Sequence, residues 1–172
     1  MTTIYLIRHA EAEGNLYRRI HGWYDSLITK NGERQIQALQ QRFDSVPIDA
    51  VYSSDLIRTQ LTAGAVYLPK GLPLHLHPGL REIHMGDWED RTWGEVRHFQ
   101  GDQLALFNHT DPSFQAPGGG EGFGPLGDRV YEAIRSIAQK HPDQNVALFS
   151  HGTAIRQFLG KVKGTEPGQW KD

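Results

Sequence analysis

Ile4-Tyr5-Leu6-Ile7-Arg8-His9-Ala10-Glu11 carries an apolar, strand-like run into a histidine, and Val146-Ala147-Leu148-Phe149-Ser150-His151-Gly152-Thr153 does the same near the other end of the chain. Short apolar runs that stop at small or helix-starting residues read as buried strands. A third run, Ala50-Val51-Tyr52-Ser53-Ser54-Asp55, breaks into a helical pattern that carries Arg58. In an open α/β sheet, ligands sit just beyond the carboxyl ends of the strands. If these three strands are neighbours, His9, His151, Arg8 and Arg58 meet at one place. Two imidazoles and two guanidiniums describe a site for an anion, and a phosphoryl group suits that donor set best.

Strand and helix signals alternate between these runs. The signal Lys30-Asn31-Gly32 opens a helix with Ile36, Leu39 and Phe43 on one face. Ser54 or Asp55 is a suitable N-cap for the helix through Arg58 and Leu61, and Pro69 with Gly71 ends it. Leu74–His77 alternates like a short strand with one wet face. Short helices are expected near Trp93–Phe99 and Asp102–Phe107. Leu126, Val130, Ile134 and Ile137 form the stripe of a longer helix that stops before Pro142. The alternation predicts an α/β fold, a mostly parallel open sheet with helices on both faces, in one domain over 1–172. The segment 79–127 is too long for a plain connection and is expected to be functional or a lid. Its run Pro117-Gly118-Gly119-Gly120-Glu121-Gly122 lacks the Lys-Ser/Thr of a nucleotide P-loop, so a flexible loop near the site is expected instead.

The chain has 172 residues and a formal charge of -2, which argues against a general nucleic-acid binder. It has no cysteine, so disulfides and thiolate metal sites are excluded and a reducing compartment fits. No signal peptide and no membrane-length apolar run is visible, so a cytoplasmic protein without membrane partners is expected. His75 and His77 alternate on one strand face, but no third ligand is evident, and no metal or other cofactor is expected.

The motifs together resemble the histidine phosphatase superfamily, also called the phosphoglycerate mutase-like family. Arg8-His9-Ala10-Glu11-Ala12-Glu13-Gly14-Asn15 is similar to its opening Arg-His-Gly-Glu-Thr and following Asn. Asp25-Ser26-Leu27-Ile28-Thr29-Lys30-Asn31-Gly32, Ser53-Ser54-Asp55-Leu56-Ile57-Arg58-Thr59 and Leu80-Arg81-Glu82-Ile83-His84-Met85-Gly86-Asp87-Trp88-Glu89-Asp90 resemble three further motifs. Ser150-His151-Gly152-Thr153 resembles the closing one. Five motifs in the family's order span nearly the whole chain.

The resemblance implies a phosphomonoesterase that hydrolyses small phosphorylated metabolites through a phosphohistidine. His9 is the implied nucleophile, kept neutral by the neighbouring arginines. Arg8, Arg58 and His151 would hold the phosphoryl oxygens, and Glu82 would be the general acid, with Glu89 as its rival. Asn15, His21, Arg81 and Glu121 are the implied substrate-binding residues, and Trp23, Tyr24, Trp88 and Trp93 are candidates for the substrate side.

Four departures carry expectations of their own. Ala10, in place of a glycine, is expected to tighten the pocket floor. Asp90, also in place of a glycine, is expected to disfavour highly anionic substrates. Gly122 replaces a serine and so removes a hydroxyl that could contact substrate. The chain stops soon after the His151 helix, where relatives add a closing strand, so the open sheet edge is expected to favour a homodimer. Mutase-type phosphoryl transfer, a phosphohistidine-protein phosphatase and a non-catalytic phosphoester-binding module stay open as alternatives.

Overall fold

The computed structural model describes residues 1–166 and Gly168. Four strands, β1 (Thr3–Arg8), β2 (Ala50–Ser53), β3 (Leu74–Leu76) and β4 (Asn145–Ser150), form a parallel sheet in the order β1-β4-β2-β3. The helices are α1 (Glu13–Leu16), α2 (Lys30–Phe43), α3 (Ile57–Lys70), α4 (Trp93–Phe99), α5 (Gly101–Asn108), α6 (Phe123–Lys140) and α7 (Gly152–Lys163).

Successive strand residues point to opposite faces, and the apolar runs feed two cores. Ile4, Leu6, Val146 and Leu148 pack on the larger core with Leu126, Val130, Ile134 and Ile137 of α6 and Ala154 of α7. Tyr5, Ile7, Ala147 and Phe149 face the other way, onto Leu39 and Phe43 of α2 and Ala63 and Val66 of α3. The central strand β4 is apolar on both faces because both are covered, as a doubly covered parallel sheet requires.

Lys30-Asn31-Gly32 opens α2 as its first turn, with Thr29 as N-cap; the Thr29 hydroxyl accepts from the Gly32 amide at 3.0 Å. Other local expectations are corrected. Neither Ser54 nor Asp55 is the N-cap residue of α3, which is Leu56; the Ile57 amide is instead met from afar by Asp25 Oδ1 at 2.8 Å. Pro69 sits inside the last turn of α3, and the helix ends only at Gly71, whose φ of 64° is left-handed. The glycine-rich run is no free loop. The Asp87 amide donates to Pro117 O at 3.0 Å and the Glu121 amide to His84 O at 2.7 Å, so the run is pinned against 84–87.

No helix among the described residues is long and apolar enough to cross a membrane. His75 stacks on Tyr52 while His77 Nδ1 accepts from the Gly79 amide, so the two rings have separate structural partners. Among the described residues no group of three His, Asp or Glu is placed to hold a metal ion.

Candidate active site

The sheet register assembles the site. Arg8 is level with Ser150, and the His9 amide donates to Ser150 O at 3.0 Å. On the other side of β4, the Ser54 amide donates to Phe149 O at 3.0 Å. The carboxyl ends of β1, β4 and β2 therefore lie side by side, and the His9 and His151 ring centroids are 5.2 Å apart. A third imidazole, His21, stands edge-on to His9 at 5.6 Å.

His9 is buried, and its Nδ1 lies 2.7 Å from its neighbour's carbonyl, Ala10 O. A carbonyl can only accept, so Nδ1 carries the proton and the Nε2 lone pair is left free. Burial, with the charge of Arg58 next, lowers the His9 pKa to about 3, and the Arg8 charge acts in the same direction. The ring is thus neutral at any ordinary pH. His151 is fully buried; its Nε2 meets the Ser54 hydroxyl at 2.8 Å, and its Nδ1 has no partner. Burial pushes its pKa well below the usual histidine range, helped by Arg58. The Arg8 guanidinium makes no hydrogen bond or ion pair among the described residues, and Gly152 approaches it so closely that a Cβ there would lie 3.4 Å from its carbon.

His21 is oriented by an amide. Asn15 Oδ1 accepts from the Ala12 amide at 3.0 Å, so Nδ2 is the atom that faces His21 Nε2 at 3.2 Å. That nitrogen accepts, and His21 Nδ1–H donates to Ser26 Oγ at 2.8 Å. Burial and then Arg58 lower the His21 pKa to about 4. Gly14 belongs to the same arrangement, since a Cβ on it would lie 2.4 Å from the His21 ring.

Arg58 stands differently from the expected fork on a phosphoryl group. It is fully buried, and its terminal nitrogens donate to Tyr24 O, His21 O and Gly22 O at 2.9, 2.8 and 2.7 Å. Its Nε alone is buried without a partner. The guanidinium therefore holds the 21–24 segment in place while its charge acts on all three imidazoles.

The two candidate acids separate by position. Glu82 lines the cavity and sits on the N-terminus of α7, where Oε2 accepts from the Thr153 amide at 3.0 Å and Oε1 from Ala154 at 2.9 Å. Its Oε1 also accepts from the Ile83 amide at 3.0 Å. Glu89 does not line the cavity. It ties the amides of Trp23, Tyr24 and Met85, each at 2.8 Å, and so joins the 21–24 segment to the 82–89 segment.

Two expected binding residues are engaged elsewhere. Arg81 forms a two-pronged ion pair with Asp55, at 2.6 and 2.5 Å, and lies over the Trp23 ring. Glu121 forms the matching pair with Arg129, at 2.8 and 2.7 Å, and neither Arg81 nor Glu121 lines the cavity. Arg129 also donates to the carbonyls of Gly79, Arg81 and Glu82, fixing the strand of chain that carries Glu82. A lone arginine beside the apolar stripe of α6 gives no sign of this in the sequence.

The cavity is about 370 Å³ and is lined on its chemical side by Arg8, His9, Asn15, His21, Glu82 and Thr153. Ile20, Ile83, Met85, Trp93 and Phe107 supply an apolar wall, so the 79–127 segment does build part of the site. Of the four aromatic candidates only Trp93 lines it; Trp88 is core, and Trp23 is covered by Arg81 and His84. The departures from the family pattern fall outside the cavity. Ala10 is buried and bonds to Thr62. Asp90 is in the left-handed region at φ 61°, where glycine is the unstrained choice, and its carboxylate pairs with Arg19 at 2.9 Å instead of facing a substrate. Gly122 is the N-cap residue of α6, where a serine hydroxyl would cap a helix.

The comparisons with known proteins agree with this geometry. The fold is similar to the solved structure of Bacillus stearothermophilus YhfR, with a TM-score of 0.93 and 34% identity over 98% of this chain and 83% of that one. A metal-independent phosphoserine phosphatase of Arabidopsis thaliana is 33% identical, covering 94% of this chain and 69% of its own length. The probable phosphoglycerate mutase GpmB of Serratia proteamaculans is 34% identical, over 95% of this chain and 76% of its own length. The sequence profile of the histidine phosphatase superfamily (branch 1) matches residues 4–172, and the chain belongs to that superfamily.

Proposed function

We infer that the protein is a phosphomonoesterase that hydrolyses small phosphate esters through a phosphohistidine on His9. The observation that carries this is the state of His9: Nδ1 is tied to Ala10 O and protonation is suppressed by burial and Arg58, so Nε2 keeps a free lone pair in a ring that lines the cavity with Arg8, while the His151 ring, 5.2 Å away between centroids, has an unpartnered Nδ1.

In the first step Nε2 attacks phosphorus, the P–O ester bond breaks, and Glu82 gives a proton to the departing oxygen. Arg8 and His151 carry the negative charge on the equatorial oxygens; when Ser54 donates to His151 Nε2, the imidazole proton lies on Nδ1 and is the one offered. In the second step the Glu82 carboxylate takes a proton from water, the water oxygen bonds to phosphorus, the P–N bond breaks, and phosphate leaves with His9 neutral again. Exposed rim residues Asn15, Arg18 and Arg19 favour water as the acceptor. Arg8 and Arg58 supply the positive charge that a metal would supply elsewhere, the neutral His151 adds only a hydrogen bond, and the reaction runs without a metal.

The test is a phosphoryl-transfer experiment with ³²P-labelled ester in the presence of chelator. Label on His9, stable to base and labile to acid, followed by release of inorganic phosphate, is the expected result. Label on a serine or aspartate overturns the mechanism, label returned to a second alcohol makes the protein a mutase, and activity that requires added metal overturns the assignment of charge to the arginines.

A further inference from the structure

Two consecutive arginines, Arg18 and Arg19, follow α1, and the fold uses them differently. Arg19 turns to Asp90, donating to its carbonyl at 2.6 Å and to its carboxylate at 2.9 Å. Arg18 lines the cavity, and its guanidinium has no hydrogen bond or ion pair among the described residues. Its backbone is in the left-handed region at φ 54°, a conformation that costs a branched or long side chain and is kept where the surroundings demand it. The demand is visible: Arg18 O accepts from the Trp93 amide at 3.2 Å, and Arg19 bridges to Thr92. The unpaired guanidinium is thereby fastened at its root to the start of α4.

Trp93, at that start, stacks on Phe107 of α5 with ring centroids 5.5 Å apart, and both line the cavity while remaining half-buried. The same three residues, Arg18, Trp93 and Phe107, also line an adjoining hollow of about 260 Å³ whose rim carries Arg97. Arg97, too, has no ion pair or hydrogen bond from its side chain among the described residues. The cavity at the phosphoryl end and this hollow thus share Arg18 and the aromatic pair, and together they make a trough that carries two guanidiniums without partners among the described residues.

We propose that this trough is the subsite for the alcohol half of the substrate, and that it selects esters whose alcohol is a flat, aromatic group bearing a second anionic group. The rings supply an apolar platform, and Arg18 meets a carboxylate or second phosphate by a charge-assisted hydrogen bond. The proposal rests on the hydrolytic reading of the His9 site and adds the class of ester to it.

Two aryl phosphates with the same phenolic leaving group separate the ideas: 3-(4-phosphonooxyphenyl)propionate, with a carboxylate tail, and 4-propylphenyl phosphate, with a neutral tail of equal length. The native protein is expected to prefer the carboxylate ester by about tenfold in kcat/KM at low salt, the scale of one hydrogen bond to a charged group at a wet rim. Raising the salt shrinks that preference. Arg18→Gln, which keeps the length of the side chain and removes its charge, brings the ratio close to one. Trp93→Ala raises KM for both esters. A ratio near one in the native protein, or a ratio that Arg18→Gln leaves unaltered, overturns the subsite. Hydrolysis of neither ester fails at the earlier step and takes down the hydrolytic reading together with the subsite.

Discussion

At the scale of single residues, the two carboxylates of the Glu82–Asp90 stretch have roles that their surroundings set apart. Each carboxylate accepts from three backbone amides, but Glu82 lines the cavity from the N-terminus of α7, whereas Glu89 lies outside it and ties the 21–24 segment to the 82–89 segment. Glu82→Gln is expected to slow alkyl phosphates by roughly 10²–10⁴-fold, because an alkoxide needs a proton in order to leave. Nitrophenyl phosphate, whose leaving group departs unaided, loses much less in its first step. Glu89→Gln replaces an acceptor of three amides with one that offers a single oxygen and a donor. It is expected to lower stability by about 1–3 kcal/mol, with no dependence of the rate loss on leaving group. Equal losses on both substrates for Glu82→Gln argue against a proton donor at that position, and a leaving-group-selective loss at Glu89 moves the acid there.

At the scale of elements, the 21–24 segment is held from below by Arg58 on α3 and from the side by Glu89, and His21 is aimed by the result. A lysine offers one compact ammonium where the guanidinium reaches three carbonyls, so Arg58→Lys strips the segment of two anchors. The expected outcome is a loss of about 2–4 kcal/mol in urea unfolding, with faster hydrogen exchange confined to the 20–25 amides before global unfolding. Uniform exchange across the molecule would show that Arg58 serves the whole core and not this segment. The anchoring also explains what the sequence could and could not tell. The strand ends that carry Arg8, His9 and His151 were legible because apolar runs fix strands, and the parallel register does the rest. Arg58 was recognisable as part of a site, but not that its fork grips carbonyls, since backbone acceptors leave no pattern in side chains. Arg81 and Glu121, expected at the substrate, stand in ion pairs for a related reason. An arginine near a motif looks the same whether it meets a substrate or, as here, the carboxylate of Asp55, and only packing chooses. Arg18 carries no signal in the sequence, because nothing in a pair of adjacent arginines says which one Asp90 will take. At Asp90 the sequence shows an added carboxylate in place of a glycine, whereas the structure shows a position that demands positive φ.

At the scale of the whole molecule, the site makes folding depend on pH. His9 and His151 are buried and His21 half-buried as neutral rings, with pKa lowered by desolvation and by Arg58, to about 3 for His9 and about 4 for His21. In the unfolded chain the same side chains titrate near 6.5, so between that pH and the folded values the unfolded state binds more protons. The sign follows: their contribution is complete above about pH 6.5 and drains away as the pH falls, at about 1.4 kcal/mol per pH unit for each ring. Asp55, held below the usual carboxylate range by Arg81, adds a loss in the same direction only at lower pH. The urea midpoint is therefore expected to decline steadily from pH 6.5 to 4.5, before most carboxylates titrate. Saturating inorganic phosphate should oppose the decline, since an anion among the three rings offsets the cost of charging them. His21→Gln should make the slope shallower by up to one proton over that range. A flat midpoint from pH 6.5 to 4.5 would mean that the imidazoles charge freely in the folded state, and a His9 that charges near pH 6.5 would no longer be a neutral nucleophile through the weakly acidic range.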